Sequence, residues 1–265
     1  MDIIQITAEK PSIKPNILFE FLGIPITSSI LMALLITAII LIFSYFIYKK
    51  SSVSPAKWQI ICESIYEFCY DLIDKISGSS VITKKIFYLI ASLFIFIGLS
   101  NLLGIFIPFL GSFTYKEMPI FRSPTTDFNV TFSLAASMVI LIQLSSIKKK
   151  GIFGYLGEFI KIREIFKGFK EGLNSGLMGI ISFFIGLLDI VSEFAKVISL
   201  SMRLFGNMFA GEMLAVILLG FLAYGLPSIW MSMNIFAGFV QAIVFGSLTT
   251  AYYSLAVKGG EAEEN

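Results

Sequence analysis

Histidine is absent from this 265-residue chain and charge is scarce, with Asp, Glu, Lys and Arg making up only 14%. Without imidazole, any proton movement has to run through carboxylates, water or groups supplied by a partner. Cys62 and Cys69 are the only cysteines. Seven residues apart, they share one face of a helix, and no third Cys or His accompanies them. They read as small residues on a buried stripe, so neither a metal nor another cofactor is expected. Soluble domains carry roughly 25% charged residues, and this composition falls well short of that. The net charge of +2 carries no hint of nucleic acid.

Long stretches lack charge altogether. Phe21 to Tyr48, Ile86 to Tyr115, Phe128 to Ile147 and Met213 to Val257 contain no Asp, Glu, Lys or Arg. About 20 apolar residues in a helix cross a ~30 Å hydrocarbon core, and the last run is long enough to cross twice. The first twenty residues are mixed polar, with Pro11 and Pro15 and no basic start ahead of a short apolar core. A retained first span is therefore expected instead of a cleaved signal peptide. No internal repeat is visible.

The expected fold class is an all-α integral membrane protein: five long membrane helices plus amphipathic surface helices, in one domain over 1–265. An external segment (1–20) precedes a first span (21–48). An amphipathic helix follows at 57–76, where Trp58, Ile61, Cys62, Ile65, Phe68, Cys69, Leu72, Ile73 and Ile76 recur at helical spacing opposite Glu63, Glu67, Asp71 and Asp74. Next come a helical hairpin (86–147), a cytoplasmic surface segment (151–171), a second membrane hairpin (176–257) and a tail (258–265). With the N-terminus outside, the inner loops hold fourteen Lys and Arg against four outside, leaving Lys196 and Arg203 within the membrane. That bias predicts a cytoplasmic C-terminus.

Asp189, Glu193, Lys196, Arg203 and Glu212 lie in an otherwise apolar stretch. Each intramembrane charge costs at least about 2.5–3.5 kcal/mol on insertion scales, and such residues pair together or line ion paths. For Asp189, Glu193 and Lys196 both readings stay open. At about 100° per residue, Asp189, Lys196 and Arg203 share a stripe, with Ser199 and Asn207 within about 40° of Arg203. Glu212, nine residues beyond Arg203, points about 180° away. The two charges therefore face different surroundings. The last helix is uncharged but holds Asn234 and Gln241, and its Gly238, Ala242 and Gly246 permit close helix approach. Gly206 and Ala210 have the same spacing beside Arg203.

The stretch SMRLFGNMFAGE, Ser201 to Glu212, closely resembles the signature of ATP synthase subunit a, the family of stator subunits beside the rotating c ring. RSPTTDFNVTFSLA (Arg122 to Ala135) resembles the segment opening the next span in bacterial and chloroplast members, and Gln241 followed by TTAYYSLA also fits. The resemblance covers the chain from about Gly23 onward and implies a proton-translocating, non-catalytic subunit of the F-type ATP synthase, with sodium the runner-up ion. Its implied partners are the c-subunit ring, the peripheral-stalk b subunits, the remaining synthase subunits and the lipid bilayer. The implied setting is a bacterial plasma (inner) membrane, with an organellar energy-transducing membrane as the alternative.

By the same resemblance Arg203 matches the essential arginine that faces each c-subunit carboxylate, flanked by Asn207 and Gln241. Glu212 matches an ionisable position of the outer half-channel. Asp127 and Asn129 match polar residues at the mouth of the first hairpin, and Ser199, Lys196 and Asp189 match positions of the cytoplasmic half-channel, beside Glu193. Two residues depart from the family pattern: Val197 replaces a frequent proline, and Asn234 stands where many members carry an ionisable partner for Glu212. The outer path is accordingly expected to rely on Glu212 with water and amides. The resemblance also implies that the last two helices are long and tilted. Two other classes compete. A secondary transporter would usually show repeats, and a structural scaffold leaves Arg203 unexplained.

Overall fold

A computed structural model of the chain describes residues 17–21, 23–50, 57–110, 114–115, 118–119, 122–159, 173–221 and 226–258. The expected polar lead-in over 1–16, the loop at 51–56, most of the surface segment (160–172) and the tail beyond 258 lie outside them.

Ahead of the first span the chain forms an antiparallel pair, β1 (Ile17–Phe21) and β2 (Ile24–Thr27), with Phe21 opposite Ile24. Gly23, at φ 80°, supplies the left-handed turn between them. Helix α1 (Ser28–Lys50) then starts seven residues later than the uncharged run does, because Phe21 is in a strand. Thr27 Oγ1 accepts from Ile30 N–H at 3.3 Å and caps α1. Only Ser28, Ser29, Met32 and Ile36 of α1 are buried. Most of its remaining surface, Leu34, Leu41, Ile42 and Phe43 among it, is apolar and exposed, as suits contact with lipid.

Helix α2 (Lys57–Ser77) is the expected amphipathic helix, and α3 (Ser80–Leu110) returns from it after Gly78 at φ 61°. Tyr66 and Tyr70 of α2 meet Phe87 of α3 at ring separations of 4.6 and 5.5 Å. Cys69 and Ile73 are buried, whereas Trp58, Ile61 and Ile65 on the same apolar stripe stay exposed. The α2 stripe is thus only partly covered by protein. A two-residue pair, β3 (Thr114–Tyr115) with β4 (Met118–Pro119), and a 3-10 turn at Pro124–Thr126 lead into α4 (Phe128–Phe159).

The sequence places the end of this span at Lys148–Lys150, but α4 runs on through the lysines and changes direction at Gly151, φ 74°. Lysine is a good helix former, so charge alone does not stop the helix. Lys149 Nζ donates to the Val257 carbonyl at 2.8 Å, placing a cation at the carbonyl end of the last helix.

Helix α5 (Leu173–Phe221) is continuous over 49 residues, and α6 (Leu226–Lys258) over 33. Pro227, second in α6, costs no hydrogen bond there. Five helices among the described residues are long and apolar enough to cross a membrane. In α5 that segment, Leu177–Leu218, has 42 residues. At 1.5 Å per residue it is about 63 Å long, twice a ~30 Å core, so it cannot stand upright inside the bilayer.

The chain divides into two compact units. One draws on Met1–Thr131 and Met202–Leu248, the other on Phe132–Ser201 and Thr249–Asn265. Helices α4, α5 and α6 are long enough to contribute to both.

Candidate functional site

Arg203 lies on an exposed face of α5 and makes no hydrogen bond or ion pair among the described residues. Ser199, Asn207 and Ala210 are also exposed, and a Cβ on Gly206 would meet nothing within 4 Å among the described residues. These four positions fall within about 60° of Arg203 around the helix. The arginine therefore stands on a narrow stripe of small and polar side chains, with no countercharge from its own chain in this part of the structure.

Glu212 has the opposite setting. It is half-buried, with Arg122 and Thr126 of the turn before α4 in its neighbourhood. Arg122 is itself buried, donating from Nη2 to the Thr126 carbonyl at 3.1 Å and from Nε to Thr126 Oγ1 at 3.5 Å. Asp127, also buried, accepts the Asn129 N–H on Oδ1 at 2.9 Å and caps α4, while the Asn129 side chain is exposed. Ser123 Oγ ties this turn to α3 by donating to the Ser100 carbonyl at 3.2 Å.

Asn234, the residue standing in for an ionisable one, packs against Gly211 next to Glu212. A Cβ on Gly211 would lie 2.5 Å from Asn234 Oδ1, so a larger residue there would have to displace the Asn234 side chain. Trp230 Nε1 donates to the Gly211 carbonyl at 3.0 Å and fixes the same approach of α6 to α5. Further along α6, Asn101 Nδ2 of α3 donates to the Gly238 carbonyl at 2.9 Å. A Cβ on Gly238 would lie 2.9 Å from Asn101 Cβ, Ala242 is fully buried, and Gly246 faces Ile90. The small residues of α6 thus seat it on α3. Gln241, between them in sequence, is buried at 6% exposure, and its Nε2 finds no hydrogen-bond partner among the described residues.

In the second unit, Glu193 accepts from Gln143 Nε2 on one oxygen and from Lys196 Nζ, at 2.5 Å, on the other. Tyr155 Oη donates to Gln143 Oε1 at 2.8 Å, and Lys196 lies 5.2 Å from the centre of the Tyr252 ring. Asp189 is exposed and takes no part in this network. Of the two readings left open, the paired one describes Glu193 and Lys196 as they stand here; Asp189 is apart from it.

Reading the sequence missed Arg122 and Thr126 as neighbours of Glu212, and Gln143 and Tyr155 as neighbours of Glu193. Arg122 and Thr126 do lie in the segment RSPTTDFN, but nothing local ties that turn to a glutamate on α5. No group of three His, Cys, Asp or Glu that could hold a metal occurs among the described residues.

The family model described as "ATP synthase A chain" matches residues 30–254. The chain is 32% identical over 246 residues to a Desulforamulus reducens protein named ATP synthase subunit a, covering 89% of this chain and 82% of that one. A Streptococcus agalactiae protein of the same name is 32% identical over 254 residues, covering 92% and 96%. One from Moorella thermoacetica is 31% identical over 247 residues, covering 93% and 98%.

Proposed function

The chain belongs to the ATP synthase subunit a family, and from that premise we propose that it passes protons through two offset half-channels to and from the carboxylates of a rotating c ring. As a member it is a non-catalytic, multi-pass membrane subunit, on the stator side, of an F-type ATP synthase of bacterial type. The observation that carries the finer reading is Arg203, exposed on a stripe of small and polar side chains and with no countercharge among the described residues.

A guanidinium stays protonated at any working pH. Beside it, in a low dielectric, a carboxylate is driven to its ionised form. A c-subunit carboxyl that reaches Arg203 therefore releases its proton to one half-channel, and after nearly a full turn it returns loaded from the other. The same fixed charge stops protons from leaking directly between the two paths. Each elementary charge that crosses supplies about 2.3 kcal/mol per 100 mV, and rotation carries this work to catalytic subunits elsewhere.

Glu212, on the opposite side of α5, serves the outer half-channel, with Asn234, Asp127 and Asn129 near its mouth. Asn207 and Gln241 flank the arginine. Ser199, Lys196, Glu193 and Asp189 belong to the cytoplasmic half. The N-terminus is outside and the C-terminus in the cytoplasm of a bacterial plasma membrane, where the peripheral-stalk b subunits hold the chain against the ring.

The experiment is ATP-driven transport by the whole synthase in vesicles, with proton and sodium varied independently. Sodium-independent proton pumping, slowed severalfold in Glu212→Gln, is expected. Sodium-dependent transport would make sodium the coupling ion, and full flux in Glu212→Gln would remove Glu212 from the path. External access to a C-terminal reporter would reverse the orientation.

A further inference from the structure

We propose that Gln143 and Tyr155 position the Glu193 carboxylate, Gln143 by donating to it from α4 and Tyr155 by fixing which way the Gln143 amide faces. The inference rests on the reading of Glu193 as a residue of the cytoplasmic half of the ion path.

Glu193 has a cationic partner three residues on, Lys196, whose Nζ lies 2.5 Å from Oε1. Two flexible side chains on one helix can swing together, so this pair neutralises the carboxylate without holding it in place. The other oxygen, Oε2, accepts from Gln143 Nε2. Gln143 belongs to α4, inside the uncharged run Phe128 to Ile147. Its bond ties the carboxylate to a second helix.

A carboxamide has a donor end and an acceptor end, and an ionised carboxylate only accepts. Tyr155 settles which end faces Glu193. Its hydroxyl donates to Gln143 Oε1 at 2.8 Å, which leaves Nε2 for the carboxylate. Turning the amide over would set its oxygen against Glu193.

The backbone is shaped for this contact. Gln143 and Tyr155 are twelve residues apart, about 18 Å along the axis of a straight helix. The change of direction at Gly151 lets them meet: its φ of 74° and ψ of 162° lie in a region essentially reserved for glycine. A Cβ there would meet nothing within 4 Å among the described residues, so the backbone conformation, not crowding, calls for glycine. Beyond the turn the Tyr155 ring packs edge to face on Phe159, 4.9 Å between centres.

An amide in an apolar span also serves as ordinary glue between helices. Here both of its ends are engaged, and one partner is ionisable. Protons pass only between groups within about 2.6–3.2 Å of each other or joined by one water, and 1 Å of displacement can cost about a hundredfold. Fixing Glu193 therefore bears on flux.

The test is ATP-driven proton flux through the assembled synthase in vesicles for Gln143→Met, Tyr155→Phe and Glu193→Gln, with each of the first two also combined with Glu193→Gln. Flux is expected to fall about tenfold in Gln143→Met, as for one lost hydrogen bond to a charged group. Tyr155→Phe keeps the ring and loses a neutral bond, for a fall of about threefold. Glu193→Gln should lose at least as much as Gln143→Met. In the Glu193→Gln background neither change should have a further effect, because both act through the carboxylate. A bond that merely joined α4 to α5 would still be missed there, since the amide oxygen of Glu193→Gln can accept from Gln143.

With flux reduced in Glu193→Gln, wild-type flux in Gln143→Met and Tyr155→Phe, or equal losses with and without Glu193→Gln, would overturn the proposal while leaving Glu193 in the path. Full flux in Glu193→Gln would overturn both. Should Gln143→Met fail to assemble, Tyr155→Phe decides: full flux contradicts the proposal, and a loss that vanishes in Glu193→Gln supports it.

Discussion

Lys196 and Arg203 stand seven residues apart on one stripe of α5, and the chain treats them in opposite ways. Lys196 has its anion three residues back, in Glu193, and an aromatic ring beside it. The pair is close to neutral, and Gln143 takes the remaining carboxylate oxygen. Arg203 has no such partner among the described residues and lies exposed. A charge with an internal counterion needs none from another molecule, whereas an unpaired one in an apolar span costs several kcal/mol unless another molecule supplies the anion. The comparison teaches that the position of a cation on the helix does not assign its task. An in-chain anion decides whether the cation must be paired from outside the chain.

The largest effect expected from this contrast is Arg203→Lys, which should abolish coupled ATP synthesis although charge is conserved, because a desolvated ammonium can lose its proton. Synthesis rates in vesicles check this, and substantial retained synthesis would make the two cations alike after all.

Next in size is Gly211→Ala, which sets a methyl 2.5 Å from Asn234 Oδ1. Overpacking of this kind costs about 1–3 kcal/mol, to be read as a lower thermal midpoint of the purified complex. Adding Asn234→Ala should recover most of it.

Smaller still is the difference between the two thiols. Burial pushes the Cys69 thiol up from its ordinary range, whereas Cys62 is half-buried. A raised value leaves less thiolate at a given pH, so a maleimide near pH 7 should label Cys62 about tenfold faster, with the gap narrowing as pH rises. The smallest effect belongs to Lys196→Arg. A paired cation should tolerate the exchange, leaving transport within about twofold of wild type.

Much of this was legible in the sequence. The uncharged runs located four of the five spans, because lipid tolerates so few charges; α5, with five charges in Leu177–Leu218, lies mostly outside them. The 100° step per residue placed Arg203 and Glu212 on opposite sides of α5 before any coordinates. Helix ends were less legible: Phe21 pairs in a hairpin instead of starting α1, and α4 passes through three lysines until Gly151 turns it. Contacts between distant segments were not legible at all. Arg122 and Thr126 lie 90 and 86 residues before Glu212, and Gln143 lies 50 before Glu193; no periodicity joins residues so far apart. Asn234 leaves Glu212 without an ionisable partner on the last helix, and the nearby charge of Arg122 comes from a segment far away in sequence.

The most direct test of the central claim is ATP-driven proton pumping by synthase carrying Arg203→Ala, after the c ring and the soluble subunits have been shown to co-purify with it. No pumping by the fully assembled complex is predicted, since nothing remains to strip the ring carboxyl of its proton. Pumping at a near-normal rate would contradict the role assigned to Arg203.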